Sequence, residues 1–304
     1  MEHAIEITGL TRDYGQGRGL FDVDLTVAPG EVFGLVGING AGKTTMIRHL
    51  MGFLRSRRGR CRILGGDCWR QAAELKRHIG HIPGEIAFPD VKTGLDFLEL
   101  QASYTALRDL ARADDLAARF DLDVSAPLKR MSKGMKQKTA IVAAFMSGAS
   151  VLLLDEGSTG LDPLMQKVFT GLVAEEKAKG RTVFMSSHMF DELEAVCDRV
   201  AFLKEGRIIE VARIAELGGN EAVKEYKIEF AAAEDYQAFL ARRFDLTRRQ
   251  DQFNQASVRI ARADIGALFQ ALACLDVKFI TQVPRTLAAH FAAKYHDTEG
   301  AHHA

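Results

Sequence analysis

The stretch GINGAGKTT, residues 37 to 45, places glycines, a lysine and threonines at the spacing G-x-x-x-x-G-K-[ST]. Residue types of this kind, so arranged, suit the holding of a phosphate. Gly37, Gly40 and Gly42 let the backbone wrap an anion, and successive N–H groups then converge on it at the positive end of a helix. Lys43 supplies a cation for β and γ phosphates, Thr44 a hydroxyl for Mg²⁺, and Thr45 a hydroxyl for the α phosphate. Far downstream, VLLLDEGSTGLD ends an apolar run in two adjacent carboxylates. Asp155 is placed to reach a magnesium shell, and Glu156 to polarise a water for attack on the γ phosphate. A third run, FMSSHMFDELEAVCDRV, puts His188 at its polar end. A lone histidine is more often a structural or capping residue. His188 gains weight because it closes a strand-like run, the edge where open α/β sheets place ligand contacts. A further stretch, RMSKGMKQK at 130 to 138, opens a helix with small residues and lysines, as if to face something negative.

These residues need elements to hold them. Residues 1 to 36 read as short strands, AIEITGL, the alternating LFDVDLTV, a turn at Pro29-Gly30, and EVFGLV. The last is nearly continuous in apolar residues, as in a strand buried on both faces. Helical periodicity follows at 43–54 and 71–79, and a mostly helical, charge-mixed region spans about 88–147. VLLLD and TVFMSS are further buried strands, and a hairpin turns at Glu205-Gly206. Buried strands alternating with helices predict an α/β domain with a parallel sheet over 1–217. GGN at 218–220 reads as a linker to a small α+β domain over 221–304. That domain contains EYKIEF, a helix at about 234–243, SVRIA, a helix at about 264–274, VKFITQV and a final helix near 286–295. Phe239, Phe253, Phe269 and Phe279 read as its core.

Composition narrows the function. At 304 residues and 47% hydrophobic content the chain can build roughly two cores. Lys plus Arg equals Asp plus Glu at 40 each, so no broad basic surface marks a nucleic-acid binder, and no nucleic-acid partner is expected. The N-terminus lacks the pattern of a secretory signal, and no apolar run approaches the ~20 residues that span a bilayer. The four cysteines match no zinc spacing and read as reduced thiols.

With these motifs in this order, nearly all of residues 1 to 215 resembles the ATP-binding subunits of ABC transporters. The resemblance implies a P-loop ATPase fold with an N-terminal antiparallel β subdomain and an inserted helical subdomain. It implies ATP and Mg²⁺ as cofactors. Tyr14 matches the aromatic that stacks on adenine. Gly37, Asn39, Gly40, Ala41, Gly42, Lys43, Thr44 and Thr45 match the phosphate loop. Asp155 and Glu156 match the Walker B pair, Ser158 to Asp162 the D-loop, and His188 the switch histidine. Ser132, Lys133, Gly134 and Met135 align with the family signature, which faces the γ phosphate held by a second copy. The negative partner of RMSKGMKQK would then be ATP on another subunit. Lys136 and Lys138 are read as surface charge.

Three positions depart from the family pattern. Lys133 and Met135 replace a glycine and a glutamine of the signature, in a form similar to bacterial exporters whose permeases are separate chains. Gly157 replaces a proline after Glu156, which is expected to loosen that turn. Gly84 stands where a glutamine is expected, and Glu85 is read as its substitute near the magnesium. The implied protein is the ATPase of a bacterial ABC exporter, cytoplasmic and peripheral at the inner face of the plasma membrane. Its partners would be a second copy and an integral-membrane permease. A non-transport ABC ATPase and a weakly active regulatory ATP-binding protein are the alternatives.

Overall fold

The computed structural model describes residues 2–105, 107, 109–217, 223–283 and 286–292. The expected linker at 218–220 and the end of the final helix lie outside them. The chain divides into two compact units, Met1–Ile214 and Ala215–Ala304.

The first unit has two sheets. β1 (Ile5–Gly15), β2 (Arg18–Val27), β4 (Arg58–Ile63) and β5 (Gly66–Asp67) form an antiparallel sheet in the order β2-β1-β4-β5. β3 (Val32–Val36), β6 (Ile79–Ile82), β7 (Val151–Asp155), β8 (Thr182–Ser186), β9 (Arg199–Lys204) and β10 (Arg207–Arg213) form the second, in the order β10-β9-β3-β8-β7-β6. All its neighbours are parallel except the β9-β10 hairpin. β3, β7 and β8 are buried at every residue, which is why they lack polar alternation. Phe33 of β3 stacks on Phe184 of β8 with ring centroids 5.8 Å apart. This order matters for the site. The parallel neighbours β3, β8, β7 and β6 end on one edge, so the segments after Val36, Ser186, Asp155 and Ile82 emerge side by side.

Helices α1 (Lys43–Leu50), α2 (Ala72–Leu75), α3 (Gly94–Thr105), α4 (Ala111–Arg119), α5 (Lys133–Met146), α6 (Pro163–Ala178) and α7 (Phe190–Val196) accompany the sheets. Two ion pairs join α4 to α6: Arg112 to Glu176 at 2.5 Å and Arg119 to Glu175 at 2.6 Å. Glu176 is fully buried and also receives Lys179 at 2.9 Å and Arg181 at 2.6 Å.

Two elements differ from expectation. The helix expected at 71–79 is only the short α2 followed by a 3-10 turn at Lys76–His78, and Ile79 begins β6. β4, RGRCRI, was not expected as a strand because its outward positions are all arginine, while Cys61 and Ile63 point into the core.

The second unit has strands Val223–Phe230, Asp245–Gln250, Gln255–Ala261 and Val277–Gln282, with helices Ala233–Leu240 and Ile265–Leu272. The strand order, second-third-first-fourth and antiparallel throughout, makes a β-α-β-β-α-β unit of ferredoxin-like type. The strand Asp245–Gln250, DLTRRQ, was missed because it carries a single apolar residue. Ile228, Phe230, Tyr236, Phe239, Val258 and Leu268 form its core. Phe239 is therefore interior, but Phe253, Phe269 and Phe279 are 56%, 49% and 38% exposed and correct the expectation that they are core.

Candidate nucleotide site

Between β3 and α1 the chain makes a tight loop. A side chain at Gly37 would bring a carbon within 2.6 Å of the Leu203 carbonyl oxygen. Gly42 sits at φ +113 against Leu20, a conformation open to glycine and strained for other residues. Gly42 also caps α1 without a side-chain bond, so the first N–H groups of the helix are left for an anion. Ile38, Asn39 and Gly40 are exposed at the tip, Ala41 is buried, Thr44 is exposed and Thr45 half-buried. Lys43 is buried, and its Nζ donates to the carbonyls of Gly37 at 2.7 Å and Ile38 at 3.3 Å. Burial lowers its pKa, against the pull of Glu156 and Asp155.

Gly42 packs on Gly19 and Leu20, whose strand partners are Asp13 and Arg12. Tyr14, at the end of β1, therefore lies beside the loop, half exposed, with the Arg12 guanidinium 5.0 Å from its ring centre.

Asp155 ends β7 and is 2% exposed; its Oδ1 accepts from Ser186 Oγ at 2.6 Å. Glu156 follows at φ +52, a left-handed conformation that costs a non-glycine residue about 1–2 kcal/mol. Its N–H donates to Ser186 O at 3.0 Å and Ser186 Oγ at 3.1 Å, which fixes the turn. The carboxylate lies open to the site, with Oε2 3.7 Å from His188 Nδ1 and 3.4 Å from Thr159 Oγ1. Lys43, Asp155, Glu156 and His188 thus converge on one sheet edge.

The signature residues lie elsewhere. Ser132 caps α5, accepting the Met135 N–H at 3.2 Å, and its backbone carbonyl accepts Lys136 N–H at 3.0 Å. Lys133 lays its aliphatic stem on Gly160, and Gly134 sits so near the Gly160 carbonyl that an added Cβ would be 3.3 Å from it. Lys136 and Lys138 are half-buried along the same helix. In the D-loop, Asp162 caps α6 by accepting from Leu164 and Met165 N–H groups, both at 3.0 Å, and Ser158 is buried. Among the described residues no hydrogen bond joins Ser132–Met135 to the phosphate loop of the same chain.

The turn after Glu156 is not loose. The buried Gln137 donates to Gly157 O at 2.6 Å, and an added Cβ at Gly157 would meet the Phe169 ring at 2.7 Å. Glycine is needed here for packing. Gly84 has a similar role: its missing side chain would fall 2.9 Å from Asp155 Oδ2. Glu85 is exposed and has no hydrogen bond or ion pair among the described residues, so it is not brought to the acidic pair.

Four supporting residues escaped the sequence reading. Ser186 holds Asp155, Gln137 holds Gly157, and Ser187 Oγ donates to the buried Glu192 at 2.5 Å while accepting Met189 N–H at 3.0 Å. Burial raises the Glu192 pKa, partly offset by the Ser187 and Ser158 hydroxyls. The tandem serines of SSH were the available signal, since successive strand residues face opposite sides.

Comparison with known proteins agrees with this geometry. The family model described as ABC transporter matches residues 20–159. An uncharacterized ABC transporter ATP-binding protein of Synechocystis is 31% identical, covering 87% of this chain and 74% of that one. The daunorubicin resistance ATP-binding protein DrrA3 of Streptomyces coeruleorubidus is 34% identical, over 70% of this chain and 69% of its own. The bacitracin transport ATP-binding protein BcrA of Bacillus licheniformis is 31% identical, over 69% and 70%. A solved ATP-binding subunit of an ABC transporter superposes with TM-score 0.66 at 31% identity, covering 70% of this chain and 91% of that one. A dimeric ATP-binding cassette bound to ADP and Pi shares the fold with TM-score 0.64 at 20% identity, over 69% and 98%. The phosphate loop, the adjacent carboxylates of Asp155 and Glu156 and these relatives together identify the chain as a member of the ABC transporter ATP-binding subunits, an ATP-binding ATPase.

Proposed function

We propose that two copies of this chain close around ATP and drive a permease carried on a separate chain, in the outward direction. One observation carries the reading. The residues needed for hydrolysis are divided, with Lys43, Asp155, Glu156 and His188 on one sheet edge and Ser132–Met135 at a helix start whose contacts lead to Gly160 instead. A second copy would supply Ser132 and the N–H groups of Lys133, Gly134 and Met135 to the γ phosphate.

In such a closed pair Tyr14 stacks on adenine and Lys43 Nζ leaves the loop carbonyls for phosphate oxygens. Glu156 takes a proton from a water whose oxygen attacks the γ phosphorus, and the bond to the β–γ bridging oxygen breaks. His188, beside Glu156, holds the γ phosphate side of the site. The Thr44 hydroxyl and the Asp155 carboxylate are hard oxygen donors that fit Mg²⁺, and Asp155 Oδ1 is already oriented by Ser186. The bound ion would neutralise phosphate charge. Glu85 would join it only by a movement of the loop after Pro83.

The permease is assigned to a cavity of about 600 Å³ between the sheet and the helical subdomain, lined by Phe53, Ile86, Phe88, Phe97 and Tyr104 among others. It is bordered by Pro83, whose neighbour Gly84 lies so near Asp155 that an added Cβ would fall 2.9 Å from its Oδ2, so a permease seated there would sense the proposed magnesium ligand. No described helix is long and apolar enough to cross a membrane, and that permease would hold the chain at the inner face of the membrane. Export is supported by the similarity to a daunorubicin resistance protein and a bacitracin transport protein.

The test is the solution mass of Glu156→Gln with and without ATP and Mg²⁺. A shift from monomer to dimer that Ser132→Arg abolishes supports the composite site. A mass indifferent to ATP refutes a self-sufficient pair.

A further inference from the structure

The chain has a formal net charge of +0, yet the segment from Phe53 to His78 holds eight lysines and arginines against two carboxylates, Asp67 and Glu74. The fold gathers this excess and, among the described residues, leaves most of it without a carboxylate partner. On β4, Arg58, Arg60 and Arg62 alternate outward opposite Thr11, Thr8 and Glu6. Arg60 reaches Glu6 at 3.5 Å; Arg55 and Arg70 have no carboxylate partner among the described residues. Asp67 lies on the same flank, and its Oδ1 already accepts the N–H groups of Trp69 at 3.0 Å and Arg70 at 2.8 Å.

Arg55, Arg60, Arg70 and Trp69 line one concavity of about 170 Å³. His49 lines it as well. Its Nδ1 is bonded to Leu54 O at 3.0 Å, while its Nε2 is buried without a hydrogen-bond partner. Trp69 is 47% exposed. The same flank runs on through Phe53, Lys76 and Arg77 into the cavity assigned above to the permease.

Guanidinium groups are weakly hydrated and match phosphate oxygens in pairs, and an exposed indole favours the boundary between water and lipid. We propose that this face docks on the anionic phosphate headgroups of a bilayer, with Arg55, Arg60 and Arg70 taking phosphates and Trp69 entering the interface. The proposal rests on the permease reading only for the direction in which the face points. Nucleic acid fits less well, because single strands need successive aromatic platforms. Here the exposed ring of Phe53 already carries Lys76 at 4.7 Å from its centre.

The experiment is co-sedimentation of the full chain with phosphatidylcholine vesicles, with and without phosphatidylglycerol. Retention on the anionic vesicles alone, weakened by salt, is expected. Arg55→Glu/Arg60→Glu/Arg70→Glu should lower it by about a hundredfold or more, at roughly a tenfold or less per cation removed. Replacing the same three by lysine should keep most of it, and Trp69→Ala should lower it further at fixed charge. ATP turnover should be unchanged in all of these, which also reports that each variant is folded. Equal retention on neutral vesicles, retention unaffected by charge reversal, or binding of an oligonucleotide in place of vesicles would overturn the proposal. Loss of retention on adding millimolar inorganic phosphate at constant ionic strength would likewise overturn it in favour of a free-anion site. Failure of ATP turnover in the unaltered chain would count against the proposed function instead and leave the vesicle result standing.

Discussion

Gly84→Ala would place a methyl carbon 2.9 Å from Asp155 Oδ2 and 3.2 Å from its Cγ. That is more than half an ångström inside ordinary contact for the oxygen, and Asp155 has little room to retreat because it is 2% exposed and held by Ser186 Oγ at 2.6 Å. If the carboxylate turns away, the buried bond to Ser186 is lost, at about 1–3 kcal/mol. If the exposed loop after Pro83 withdraws, part of the strain is relieved in solvent. Overpacking of this kind costs typically about 1–3 kcal/mol, so a loss of about 2 kcal/mol is expected. For a unit of this size that is a fall in Tm of about 4–8 °C. Gly84→Gln carries the same Cβ and should be destabilised as well, even though glutamine is the residue the family pattern expects. Thermal unfolding with and without Mg²⁺-ATP measures the first effect, and the Mg²⁺ dependence of turnover measures displacement of Asp155. Unchanged Tm and unchanged Mg²⁺ dependence in both variants would refute the claim that this glycine is required by the carboxylate.

Other outcomes follow from contacts already described. Glu192→Ala removes the acceptor of the Ser187 hydroxyl and should lower kcat about tenfold or more with little change in KM for ATP; Glu192→Gln, which keeps an acceptor, should recover most of it. Glu176 has an ordinary pKa of 4.5; desolvation pushes it up, but Lys179, Arg112 and Arg181 outweigh that and hold it below. A depressed carboxylate stabilises fully above 4.5 and loses that contribution as the pH falls through the folded value. Acid unfolding should therefore steepen below pH 4.5, and Glu176→Gln should be less stable at pH 7 with a flatter acid limb. Cys61, Cys68 and Cys197 are buried with raised pKa values, Cys61 to about 12, whereas Cys274 is exposed. A thiol reagent at neutral pH should label the native chain once, at Cys274; labelling at Cys61 would contradict the packing.

The parts legible in the sequence were those written in one stretch of chain. GINGAGKTT carries its own chemistry, and VLLLD and TVFMSS announce burial by having no polar face. β6 escaped because IGHI is four residues long and follows a helical turn. β4 escaped because its arginines conceal the period-two pattern of Cys61 and Ile63. The site residues that were missed act across long separations, Gln137 on Gly157 and Ser186 on Asp155, and no local pattern says which hydroxyl or amide meets which backbone. Glu85 shows the opposite error. Adjacency to Gly84 made it attractive, but the next residue along a loop faces a different direction, and it points to solvent.

The left-handed backbone at Glu156 sets catalysis and durability against each other. A glycine would sit there without strain and would gain about 1 kcal/mol, while removing the carboxylate assigned to the water in the proposed hydrolysis. Selection for thermal robustness alone would therefore drift toward silent chains at this position. Conversely, a stabilised variant that still turns over ATP must have found its gain somewhere else in the fold.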